Sequence, residues 1–179
     1  IDRWMLSVLQ YRVAQATEAM ENCEVREGIQ QSFFLLDLDL NWYLRRISAE
    51  RTNKEDNDGK RATAVNYVLT NVVDTWIKLL APFAPHICEE AWEKFNGKGF
   101  VSTTSWPSPN EKLVDIEAEE QENYVMKVSE DTREIIRVTS IKPKKIFYYT
   151  SPKWMHDVYK LMLETVSKGE ITNVSSIIK

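Results

Sequence analysis

Apolar residues recur along this chain at helical spacing, and they lay out a succession of long helices. Met5, Leu9, Val13, Ala16 and Met20 fall on one face of a first helix, which starts near Asp2, a residue suited to N-capping, and ends around 22–24. Ile29, Phe33, Leu36, Leu40, Tyr43 and Ile47 follow at steps of four, three, four, three and four, predicting a second helix from Val25 to Ser48 that packs in a bundle at a shallow angle. The charged stretch from Glu50 to Gly59 reads as an exposed loop. Val65, Val68, Val72, Trp76 and Leu79 predict a third helix over 60–81. Pro82 ends it, because the pyrrolidine ring fixes φ and removes a donor. Pro85 suits the first turn of a fourth helix, whose apolar face reads as Ile87, Ala91, Trp92 and Phe95, closed by Asn96-Gly97. These two helices are expected to fold back on each other about a stiff Phe-Ala elbow.

Residues 97–115 hold turn formers throughout and should be irregular. A fifth helix starts near Ile116, with Tyr124, Val128, Ile135 and Val138 on one side. From Lys145 to Thr150 the β-branched and aromatic residues predict a short strand. Ser151-Pro152 then opens a helix bearing Trp154, Val158, Leu161 and Val166, ended by Gly169. Glu170 to Lys179 would begin one more. The fold class expected is mainly α: an up-down bundle of four to five helices over 1–140, with the start of a small, truncated α/β unit over 141–179. A lone strand has an unpaired edge, so either further sequence supplies neighbouring strands or this strand stays marginal.

Composition supports a packed core: 43% of the 179 residues are hydrophobic and 11% aromatic. Cys23 and Cys88 lack metal-ligand spacing and read as buried thiols in a reducing compartment. No apolar run reaches the ~18 residues of a membrane span, and no signal peptide precedes the first helix, so a cytoplasmic location is expected. The net charge of −4 argues against a protein coated in nucleic acid, but charge is unevenly placed. Asp115, Glu117, Glu119, Glu120 and Glu122 form an acidic run, whereas Arg45, Arg46, Arg51, Lys54, Lys60 and Arg61, and later Lys142, Lys144 and Lys145, are basic. His86 and His156 stand in no triad or metal arrangement; His86 reads as a capping or packing residue. Glu89 and Glu90, adjacent on a helix, point in different directions and read as a solvated face with a possible cap.

The string LLAPFAPHICEEAWEKF (79–95), followed by Phe100-Val101 and Ser105-Trp106-Pro107, resembles the C-terminal helical domain of class I aminoacyl-tRNA synthetases for leucine, isoleucine, valine and methionine. Asp2-Arg3-Trp4-Met5-Leu6-Ser7 and Asn41-Trp42-Tyr43-Leu44-Arg45-Arg46 extend the likeness. The run Ile141 to Thr150 with Ser151-Pro152-Lys153-Trp154 is similar to the archaeal and eukaryotic leucyl type in particular. The resemblance implies an anticodon-binding domain of a monomeric leucyl enzyme. It would hold leucine tRNA by backbone and shape, alongside catalytic and editing domains of the same polypeptide. ATP and Mg²⁺ would serve the parent enzyme; no cofactor or metal is expected in this chain, which lacks HIGH-like and KMSKS-like motifs and should catalyse nothing alone. Trp42, Tyr43, Arg45, Arg46, Arg51, Lys60, Arg61, Lys142, Lys144 and Lys145 are the candidate RNA-binding residues, cations for phosphates and aromatic rings for unpaired bases. Two alternatives stand beside this reading: the equivalent isoleucyl, valyl or methionyl domain, and a helical interaction module without RNA function.

Overall fold

A computed structural model of the chain describes residues 1–53, 59–95 and 97–167, without the side chains of 49–53 and 166–167. The described residues are mainly α-helical: α1 (Asp2–Glu21), α2 (Val25–Ile29), α3 (Leu36–Asn53), α4 (Lys60–Leu80), α5 (Pro85–Lys94), α6 (Ile116–Thr139) and α7 (Lys153–Ser167). The chain resolves into two compact units, Ile1–Thr132 and Arg133–Lys179, with the division inside α6.

In the first unit the core gathers Trp4, Met5, Leu9 and Val13 of α1, Leu36, Tyr43 and Ile47 of α3, and Val68, Val72 and Leu79 of α4. Ile1 holds the N-cap position of α1, and Asp2 is already helical, where its negative charge suits the positive end of the helix dipole. The end of α1 is a Schellman turn. Cys23 N–H donates to Met20 (3.2 Å) and Glu24 N–H to Ala19 (2.8 Å), with Cys23 in the left-handed region at φ 60°. Cys23 is therefore exposed, contrary to expectation, whereas Cys88 is buried.

The predicted second helix is interrupted in phase. Gln30–Leu35 forms a π-helical turn between α2 and α3, and its wider turn rotates the residues it contains against the α-helical pattern. Phe33, expected in the core stripe, is thus 40% exposed, while Gln31 and Ser32 are buried. After the turn, Leu36, Tyr43 and Ile47 face the core as predicted. The helix runs on to Asn53, past Ser48; residues 54–58 of the expected loop, with Lys54, lie outside the described residues.

The elbow forms as its prolines require. Ala84 N–H donates to Leu80 (2.9 Å) and Cys88 N–H to Ala84 (3.0 Å), with Pro85 in the first turn of α5. Here the phase differs by one position: Ile87 is 72% exposed, and Cys88 and Trp92 enter a second cluster with Ile77 and Val101. His86 is exposed rather than packed. Asn96 lies outside the described residues. Glu89 does cap, but across space: its carboxylate accepts from Val101 N–H (2.8 Å) and Ser102 N–H (3.1 Å), at the start of a 3₁₀ turn, Val101–Thr103.

The irregular 97–115 segment is a strap along α1. Trp106 Nε1 donates to Thr17 Oγ1 (2.8 Å), Asn110 N–H to Gln10 Oε1 (2.8 Å) and Asp115 N–H to Ser7 Oγ (2.7 Å). Tyr124 of α6 is exposed; the inward face of this part of the helix is Ala118 and Glu122.

In the second unit Ile135 and Val138 are exposed and Ser140 follows α6 with φ 52°. Residues 145–150 form no strand, and no strand occurs among the described residues. A β-prone sequence still needs a neighbouring strand to satisfy its N–H and C=O groups, and none of the described residues supplies one, so the expected α/β character is not seen among them. Trp154 and Leu161 of α7 are exposed and Val158 is half-buried. Gly169 and the helix expected over 170–179 lie outside the described residues.

Candidate nucleic-acid interface

The sequence places Trp42, Tyr43, Arg45 and Arg46 together, but an α-helix separates them. Residues three and four apart share a face, and immediate neighbours do not. Tyr43 falls on the core side with Leu36 and Ile47 and is 0% exposed, its hydroxyl donating to Asp2 Oδ1 at 2.8 Å. No ring face remains for a base, so Tyr43 supports the scaffold instead. Trp42 and Arg46, four apart, turn together toward α6. Trp42 Nε1 donates to Glu122 Oε1 (2.8 Å); Arg46 Nε donates to the same oxygen (2.8 Å) and its Nη2 to Oε2 (3.4 Å). Arg46 is thus engaged within the fold rather than offered outward. Arg45 is exposed, with its guanidinium carbon 5.7 Å above the Trp42 ring, within cation–π range. Its Nε donates to the Asn41 carbonyl at 3.3 Å.

Lys60 is exposed at the first position of α4. Arg61 beside it is half-buried and ion-paired to Asp2. Asp2 therefore links the start of α1 to both Tyr43 and Arg61. Arg51 lies in the last turn of α3 with its side chain outside the described residues. Lys142, Lys144 and Lys145 belong to the second unit, all exposed in the extended segment after α6. The candidates thus divide into a group at the C-terminal part of α3 and the start of α4, and a separate lysine group.

Sequence reasoning missed the carboxylates that organise the first group. Read as an acidic run, Asp115, Glu119 and Glu122 are spaced four and three apart and so share one helical face. Asp115 pairs with Arg3 (2.9 Å) and caps α6 by accepting from Ala118 N–H (2.9 Å). Glu119 accepts from the Ser7 hydroxyl. That spacing was the available signal; the partners lie far away in sequence. A further pair braces the π-turn: Arg12 Nε donates to Asp39 Oδ2 (2.7 Å) and its Nη1 to Gln31 Oε1 (2.9 Å). Burial raises the Asp39 pKa, and the Arg12 hydrogen bond and charge offset only part of that rise.

The described fold is a helical bundle with an elbow and a strap, and comparison with known proteins gives its family. The family model for the anticodon-binding domain of tRNA ligase matches residues 2–148, and the chain belongs to this family. Its relatives include the leucine–tRNA ligase of Methanothrix thermoacetophila, 39% identical over 179 residues, which is 100% of this chain and 17% of that protein. The leucine–tRNA ligases of Pyrococcus abyssi and Pyrococcus horikoshii are 39% and 41% identical over 165 residues, 92% of this chain and 16% of each. The chain thus spans about a sixth of the length of the curated relatives it matches.

Proposed function

We propose that this chain is the tRNA-binding portion of a leucine–tRNA ligase, holding leucine tRNA so that a catalytic part of the same polypeptide can attach leucine. The observation that carries the reading is 39% identity with an archaeal leucine–tRNA ligase over all 179 residues of the chain. ATP and Mg²⁺ are assigned to the catalytic part. The described residues include no group of three or more His, Cys, Asp or Glu able to hold a metal ion, and no described helix is long and apolar enough to cross a membrane. A monomeric, cytoplasmic enzyme fits this reading.

The contact set is Trp42, Arg45, Arg51 and Lys60, with Lys142, Lys144 and Lys145 from the second unit; Arg61, paired with Asp2, is left out on the same ground as Arg46. These are cations with one half-buried ring, which suits backbone and shape recognition rather than base-edge readout. The test is filter binding of the 179-residue chain to leucine, isoleucine and valine tRNA transcripts across a salt series. Leucine tRNA should bind tightest. Arg45→Ala should make the slope of log affinity against log salt shallower by about 0.7–0.9, the value for one phosphate contact. Arg46→Ala should leave the slope unchanged, because Glu122 already neutralises that charge. Tighter binding of another tRNA would reassign the domain to the corresponding ligase. Absence of binding to all three would leave a helical interaction module.

A further inference from the structure

The first half of α6 meets the bundle largely through carboxylates. Of these, Glu122 is the most enclosed, at 6% exposure. An unpaired carboxylate at that depth would be costly, but its oxygens meet three donors, one from Trp42 and two from Arg46. Two consequences follow for the neighbouring surface. The tie to Nε1 fixes the edge of the indole, so the ring cannot turn about its bond to Cβ, and one face stays under the Arg45 guanidinium. The same carboxylate holds Arg46 by a charge-assisted pair. Of two adjacent arginines, Arg45 is then the one that presents its charge outward, on a rigid aromatic base.

We propose that Glu122 is a positioning residue for RNA binding: by fixing Trp42 and neutralising Arg46, it makes the Arg45–Trp42 stack a preorganised seat for one backbone phosphate. This rests on the tRNA-binding reading above. Preorganisation matters because a free arginine side chain loses rotamer freedom on contact, and a stacked one has already lost it. A carboxylate in an acidic run would thus support affinity for a polyanion, the reverse of what its charge suggests. The role is separable from a merely structural one, since a brace between α6 and α3 would change stability without coupling to Arg45.

The test is a double-mutant cycle on binding of an archaeal leucine tRNA transcript to the full 179-residue chain, with melting followed by circular dichroism. Arg45→Ala should weaken binding about 5–8-fold at 0.1 M salt, from a slope change of 0.7–0.9 extrapolated from 1 M. Glu122→Leu, made in an Arg46→Ala background so that no second cation is freed, should fall to the same affinity and the same shallower slope. The double variant should fall no further, because the two changes remove one contact. Glu122→Gln in the same Arg46→Ala background, whose amide oxygen still accepts from the indole, should stay close to the Arg46→Ala parent. Trp42→Phe keeps a ring but lacks the N–H, so it covers the case in which Glu122→Leu fails to fold, and it should match Arg45→Ala. Losses that add in the double variant, or a wild-type slope in Glu122→Leu or Trp42→Phe, would overturn the positioning role and leave the tRNA-binding reading intact. No binding of leucine tRNA by the wild-type chain would overturn both.

Discussion

Replacing Trp92 by Ala tests the second cluster and the close approach built into it. The ring is 8% exposed among Ile77, Cys88 and Val101. A buried aromatic of this size removes about 150–250 Å² from water, which at about 25 cal/mol per Å² gives about 4–6 kcal/mol. The indole N–H is buried without a hydrogen-bond partner, so its deletion recovers about 1–3 kcal/mol. Loss of the Lys78 ammonium, 5.3 Å above the ring, takes back about 0.5–1 kcal/mol. The net expectation is about 3–5 kcal/mol, the usual range for a core aromatic. Gly97 supplies the sharper test. A Cβ there would lie 2.0 Å from Trp92 Cε2 and 2.2 Å from Nε1. Gly97→Ala should therefore destabilise the wild type by about 1–3 kcal/mol through overpacking. In the Trp92→Ala background the obstacle is gone, and the reduced freedom of the unfolded chain should make the same change neutral or stabilising by about 0.4–1 kcal/mol. Urea denaturation followed at 222 nm reads all four corners of the cycle. An unchanged midpoint for Trp92→Ala, or an equal cost of Gly97→Ala in both backgrounds, would refute the packing described.

Three further expectations follow from single residues. Cys23→Gly should raise the melting temperature, by about 0.5–1 kcal/mol of stability, because Cys23 carries a positive φ that glycine adopts freely; Cys23→Ala should not. Burial pushes the Glu89 carboxyl up, but hydrogen bonds from Ser102 and Val101 outweigh it and leave the pKa below 4.5. Its contribution is then present above the unfolded value and lost as pH falls through the lower folded one, so Glu89→Gln should flatten the acid limb of a stability–pH curve. Arg12→Ala leaves a half-buried Asp39 uncompensated and should cost about 1–3 kcal/mol at neutral pH. Because burial raises the Asp39 carboxyl, the variant's folded state is favoured when that carboxyl is protonated, so the deficit should shrink as unfolding is repeated at falling pH.

The helices were legible because their stripes repeat over many turns, and the elbow because two prolines act locally. Where a single position set the phase, the reading slipped. The π-turn carries no composition signal in Gln30–Leu35, yet it moved Phe33 outward and Gln31 and Ser32 inward. On α5 the exchange of Ile87 for Cys88 turned on which of two adjacent apolar residues faces α4, and hydrophobicity ranks them the wrong way. Residues 145–150 show the opposite case, a local preference with no neighbouring strand among the described residues to satisfy it. In the candidate interface, four chemically apt neighbours on one helix read as one patch. The structure divides them by face, with Tyr43 inside, Arg46 held and Arg45 outside. The helix repeat alone turns Tyr43 inward; what sets Arg46 apart from Arg45 is Glu122, 76 positions beyond Arg46.

The strap also imposes a sequence of events on synthesis. Thr17, Gln10 and Ser7 meet partners 89, 100 and 108 positions later in the chain. At about 5–20 residues per second, the ribosome delivers those partners about 5–20 s after α1 emerges. Through that interval the polar row on α1 must be satisfied by water while its apolar face already has α2 to α4 to pack against. Each strap contact is a hydrogen bond accepted by an α1 side-chain oxygen that water can serve equally well, so the wait exposes little that could aggregate. Trp106, the one large ring on the strap that packs against this core, arrives with the segment that covers it.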